Sequence, residues 1–148
     1  MLNIQRERVH GLWEESAAIL AEGAAQFDPF PDLPLEIDRA AYESLEAVGR
    51  LRVYTARIDG VLAGYAVFVV GTAPRRRNLL EAHQNVVHAA EATKARVTPA
   101  LVRHAEKALG AEGVKMVYHS SPMGCRFARL LEILGYKPIA QVHAKRLP

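Results

Sequence analysis

Cysteine is almost missing from this sequence: Cys125 is the only one. That excludes an internal disulfide and any Cys-based metal cluster, and no metal site is expected. A lone thiol fits a reducing compartment, so the expectation is a cytoplasmic protein. No apolar run is long enough to span a bilayer, and the N-terminal residues lack the pattern of a secretory signal, so no membrane role is expected. Internal repeats, low-complexity tracts and linkers are also missing. Neither sign of charge dominates, the formal net charge being +3. This mild excess suits an anionic cofactor or partner and is too weak to argue for nucleic acid.

What is present is ordinary for a globular chain. Its 148 residues are 50% hydrophobic and 24% charged, enough for one domain over residues 1–148 with a real core. Ile4, Val9, Leu12, Ile19 and Leu20 sketch an apolar stripe, which predicts a helix over Asn3–Ala25. Pro29, Pro31 and Pro34 make the next segment a loop, stiff enough to wall a cleft. Asp38 caps a second helix, Arg39–Val48, ended by Gly49. Leu51–Ile58 and Val61–Val70 flank Asp59-Gly60, a strong hairpin turn signature, and the second strand is apolar enough to be covered on both faces. Arg75-Arg76-Arg77 follows in a loop that reads first as solvated.

The stretch Asn85–Lys107 says most about function. Asn85–His88 favours a strand, Glu91–Val97 a polar and basic loop, and Thr98 with Pro99 the start of a helix that Gly110 can close. A strand feeding a helix through such a loop aims free N–H groups and the positive dipole end at one point. Lys94 and Arg96 would add charge for a phosphate or pyrophosphate there. Val114–His119 makes a further strand, Phe127, Leu130, Leu131 and Leu134 a helix face, and Ile139–Arg146 alternates into a last strand. The expected order is α-α-β-β-β-α-β-α-β, an α/β (α+β) mixed sheet with helices on both faces, the strands of Val86 and Val117 at its centre and parting into a cleft.

Tyr54–Phe68 (YTARIDGVLAGYAVF) carries a resemblance that continues in Ala82–Val86, Leu101–Glu106, Val117–His119 and Leu130–Tyr136. In this order and spacing the chain resembles the GNAT acyl-CoA N-acyltransferase superfamily, in particular its small phage-encoded branch. The resemblance implies acetyl-CoA between the splayed strands, touching Val87, His88 and Ala89, with its pyrophosphate at Lys94, Ala95, Arg96, Val97 and Thr98. It also implies direct attack of an amine on the thioester, which needs a base, oxyanion donors and an acid for the thiolate.

Departures from the family pattern matter equally. The family loop has an arginine and two spaced glycines; Thr93–Ala100 has no glycine, and the arginine falls on Thr93 or Lys94. An acidic residue common in this branch is replaced by Asn85, which cannot act as a base, and the tyrosine often used as thiol acid by Leu131. His119, His83 and Ser120 are the remaining catalytic candidates, and strict alternation puts His83 and Asn85 on one strand face with His88 on the other. Cys125 reads as a small helix residue. Arg75, Arg76, Arg77 and Asn85 would meet the acceptor. Two functions follow: an N-acetyltransferase acting on a small amine or a protein lysine, or a catalytically degenerate GNAT-fold protein that binds a macromolecule. In the second case it would be a phage product modulating a host protein in the host cytoplasm. A homodimer is compatible with either.

Overall fold

The computed structural model describes all residues, Met1–Pro148. In chain order the elements are β1 (Leu2–Arg6), α1 (Trp13–Phe27), α2 (Arg39–Ala47), β2 (Leu51–Ile58), β3 (Val61–Thr72), β4 (Leu80–Ala89), α3 (Lys94–Ala111), β5 (Met116–Tyr118) and α4 (Arg126–Ile133). One mixed sheet runs β1-β2-β3-β4-β5, antiparallel except for the parallel β4–β5 pair. The α/β architecture is as expected.

Local signals account for its first half. The Asp38 carboxylate accepts the Ala41 N–H at 3.0 Å and starts α2. Asp59 and Gly60 turn the β2–β3 hairpin with φ of 50° and 86°, the left-handed pair that matches strand twist. β3 is the central strand, covered by helices on both faces, as its continuous apolar run requires. α1 and α2 cover one face over Leu51, Val53, Tyr65 and Val67. α3 covers the other, where Val97, Leu101, Ala105 and Leu109 meet Tyr54, Ala66, Phe68 and Ala82.

The ends differ from expectation. Residues 2–6 form a strand, not the start of a helix. Leu2 and Ile4 pack on the α3-side core while the backbone pairs with β2, from Leu2↔Ile58 to Arg6↔Tyr54. Glu7 then locks this edge: its carboxylate takes hydrogen bonds from Arg57 at 2.8 and 3.0 Å and from Thr55 at 2.6 Å. These bonds, from Arg57 first, pull the Glu7 pKa down to about 2. At the other end, Ile139–Arg146 is exposed and forms no strand. Alternation needs a partner edge to become a strand, and this segment is held instead by Arg146, paired with Asp32 at 2.9 and 3.0 Å. The strand of Val117 lies at the sheet edge, not its centre, and only Met116–Tyr118 of the expected Val114–His119 pairs.

The loop expected at Glu91–Val97 is largely helix. After a short 3-10 turn at Glu91–Thr93, α3 begins at Lys94, so Thr98 is no N-cap and Pro99 sits inside the helix. Burial of Val97, fully inaccessible, decides this by extending the Leu101–Ala105 face one turn back. Pro99 then leaves the Ala95 carbonyl without its helical donor. Gly110 lies within α3, which gives way to a left-handed Gly113 with φ of 94°. Cys125 caps α4, its Sγ accepting the Ala128 N–H at 3.4 Å.

Candidate active site

Two features of β4 make the site. Its register to β3 slips between Val67↔Val86 and Phe68↔Gln84, leaving Asn85 as the extra residue of a bulge. The bulge resets the alternation, so His83, Asn85, Val86 and His88 all face α1 and α2. His88 therefore shares a face with His83 and Asn85, contrary to strict alternation. Its ring lies over Gly23 of α1 and edge-on to Tyr65 at 6.0 Å. Burial, with the charge of Lys94 adding, lowers its pKa.

Second, β4 and β5 pair only from Glu81↔Met116 to His83↔Tyr118. Beyond that the strands part, and the gap is spanned by the Gln84 side chain, which donates to the Ser120 carbonyl at 3.3 Å. The Gln84 oxygen faces His119 Nδ1 at 2.6 Å, so the imidazole must carry its proton on Nδ1. His119 Nε2 is buried without a partner among Phe68, Phe127 and Tyr136. Desolvation pushes the His119 pKa down to about 4, so the ring is neutral near pH 7.

His119 and His83 lie on opposite sheet faces. His83 keeps an exposed ring, 58% accessible, stacked on Tyr118 with centroids 4.5 Å apart. Its Nε2 lies 3.3 Å from the buried carboxylate of Glu81, which also accepts the Tyr118 hydroxyl at 3.3 Å. A buried carboxylate that orients an exposed imidazole is the arrangement of a general base. Sequence reasoning sought the acid at Asn85 and missed Glu81. The available signal was Glu81 two residues before His83, hence on the same strand face.

Next to the bulge, under α1 and α2, is a cavity of about 320 Å³. Tyr65, Val67 and Val86 floor it, and Trp13, Leu20, Leu35 and Ile37 wall it. None of Phe27–Pro34 lines it; the wall on that side is made by Leu35 and Ile37, which follow the proline-bearing loop. Tyr42, also lining it, donates its hydroxyl to Asn85 Oδ1 at 2.6 Å. Arg75, Arg76 and Arg77 sit in the exposed β3–β4 turn and do not line this cavity.

Of the residues expected around a pyrophosphate, Val97 and Ala89 are buried in the core and Val87 packs against it. Ala95 and Arg96 are exposed, with Thr98 half-buried on the next turn. No side chain caps the start of α3. Lys94 Nζ reaches Gln26 at 3.0 Å and lies 5.0 Å over the Phe27 ring. An uncapped helix N-terminus with Lys94 and Arg96 beside it fits an anionic diphosphate without glycines. Ser120 contributes only its carbonyl, to Gln84.

No family model matches the chain, and no curated protein matches it. Solved structures do. A ribosomal-protein-alanine N-acetyltransferase from Brucella melitensis biovar Abortus 2308 superposes with a TM-score of 0.73 at 17% identity, over 100% of both chains. An aminoglycoside acetyltransferase from an uncultured soil metagenomic sample gives 0.78 at 14% identity, over 100% of this chain and 99% of that one. A predicted acetyltransferase with acetyl-CoA from Clostridium acetobutylicum gives 0.72 at 7% identity, over 99% and 96%. At such identities the likeness is one of fold. The fold is that of the GNAT acetyltransferases, mixed sheet and flanking helices included.

Proposed function

We propose that this protein is an acyl-CoA-dependent N-acyltransferase. The observation that carries the reading is the parting of β4 and β5 after His83 and Tyr118, on the strand that leads toward α3 and whose Val86, next to the bulge, floors the cavity. Acyl-CoA, when bound, supplies a thioester carbonyl open to attack by an amine. The edge of β4 from Asn85 to Ala89 that β5 leaves unpaired and the first N–H groups of α3, with Lys94 and Arg96, would hold it. The acceptor amine occupies the cavity by Tyr42 and Val86. His83 would take one proton from the bound ammonium, directly or through water, which frees the nitrogen lone pair for attack. Glu81 would orient the ring through its contact with Nε2. The second N–H proton, lost as the amide forms, would pass through solvent to the leaving sulfur, the Tyr118 hydroxyl being committed to Glu81.

Calorimetry with acetyl-CoA tests the reading. Binding that is weakened at least about tenfold by a Lys94→Ala, Arg96→Ala double substitution, with a shallower salt dependence, supports it. No heat of binding overturns it.

A second reading, a binding protein of the same fold without catalysis, draws on one observation. The glycine-free segment has folded into α3, with Val97 in the core and Lys94 engaged by Gln26 and Phe27. Absent cofactor binding would favour it.

A further inference from the structure

The cavity under α1 and α2 is selective in its chemistry. We infer that it takes an amine with an apolar body and an adjacent carboxylate, an apolar α-amino acid being the simplest case; this rests on the acyltransferase reading above. Its lining is apolar apart from Ser16, Arg39, the two tyrosine hydroxyls and the Trp13 indole N–H, which donates to Glu43 at 3.2 Å, and it includes no aspartate or glutamate. Ser16 is already satisfied, donating to the Trp13 carbonyl at 3.3 Å. A polyamine or aminoglycoside would bring several ammonium groups to walls with nothing to neutralise them.

Arg39 is the one charged side chain of the lining. Its guanidinium lies 5.5 Å over the Trp13 ring, and its only ion pair is an exposed contact with Glu14 at 3.6 Å. So loose a surface pair leaves the planar fork free for a ligand carboxylate. Tyr42 follows Arg39 by three positions on α2 and so shares its helix face. Its proton goes to Asn85, which leaves the phenolic oxygen to accept from an ammonium group. Adjacent carboxylate and ammonium sites, with Leu20, Leu35 and Ile37 beyond them, match the layout of an α-amino acid. Tyr42 and Val86 then place the nitrogen beside the β4 bulge.

Trp13 is the only tryptophan and lines the cavity, so its fluorescence reports occupancy without turnover. L-phenylalanine, phenethylamine and spermidine are titrated into wild type and Arg39→Gln, with calorimetry alongside because the substitution changes the Trp13 surroundings. Saturable binding of phenylalanine that weakens at least about tenfold in Arg39→Gln, while phenethylamine binds both proteins alike, is the expected result. Equal phenylalanine affinity in both proteins, spermidine as the tightest ligand, or no binding of phenylalanine overturns the inference. Acetyl-CoA is titrated separately: cofactor binding without phenylalanine binding overturns the cavity assignment alone. Phenylalanine binding without cofactor binding overturns the transferase reading alone.

Discussion

The carboxylate of Glu22, on α1, accepts the backbone N–H of Glu91 at 3.1 Å, 69 residues away in the chain. This puts a negative side chain at the turn leading into α3, where the helix dipole and free N–H groups favour an anion. A diphosphate bound there, as the proposed function has it, would meet the repulsion of this carboxylate. Glu22→Gln keeps an acceptor oxygen and removes the charge. It should tighten acetyl-CoA binding by about threefold to tenfold at low salt, the gain shrinking as salt is added. Calorimetry at two ionic strengths reads this, and unchanged or weaker binding would separate Glu22 from the cofactor site.

The Glu81–His83 pair predicts which histidine matters for turnover. His83→Asn and Glu81→Gln should each lower kcat/KM by about 100-fold to 10,000-fold, with acetyl-CoA affinity unchanged. His119→Gln should leave kcat within a few fold, because that ring faces the α4 side and is held by Gln84. Steady-state kinetics on the three variants decides between them. Loss confined to His119→Gln would reassign the base.

Gly23 and His88 are a packing pair. A Cβ on Gly23 would come within 2.3 Å of the His88 ring, far inside contact distance. Gly23→Ala should therefore destabilise by about 1–3 kcal/mol despite the better helix propensity of alanine. His88→Ala should relieve most of that penalty in the double variant, a coupling that urea denaturation measures as a double-mutant cycle. Additive effects would show that α1 shifts away instead.

Acid stability follows from His119. Its pKa lies near 6.5 when unfolded and is pushed down to about 4 by burial in the fold. Between these values the unfolded chain binds a proton that the native chain refuses, so stability is full above pH 6.5 and falls toward pH 4. His88 is shifted in the same direction. The urea midpoint should drop over this window by the equivalent of roughly 1–3 kcal/mol, and His119→Gln should flatten the drop. Glu7 acts in a separate and lower window, from 4.5 toward 2. A wild-type midpoint constant from pH 7 to 4.5 would remove the buried neutral histidine.

The cap at Asp38, the turn at Asp59-Gly60 and the doubly covered strand Val61–Thr72 were legible because each is set within a few residues. The resemblance then placed His83, Asn85 and His119 near a cleft between strands. Thr98-Pro99 misled for the opposite reason. Its local start signal lost to the burial of Val97, whose Cγ1 would meet a Cβ on Gly64 at 2.7 Å, a contact made only once β3 and α3 pack.

By itself, then, the sequence determined the local turns, the apolar strand and the placing of chemistry-bearing residues along β4. The tertiary structure alone decided that Leu2–Arg6 is a strand and Ile139–Arg146 is not, since backbone pairing depends on which edge is free. It also decided that a bulge at Asn85 turns His88 toward α1, and that Glu81 is buried where it can hold His83. Caps and turns close within one stretch of chain, whereas bulges, buried carboxylates and cavities exist only between stretches that are distant in sequence.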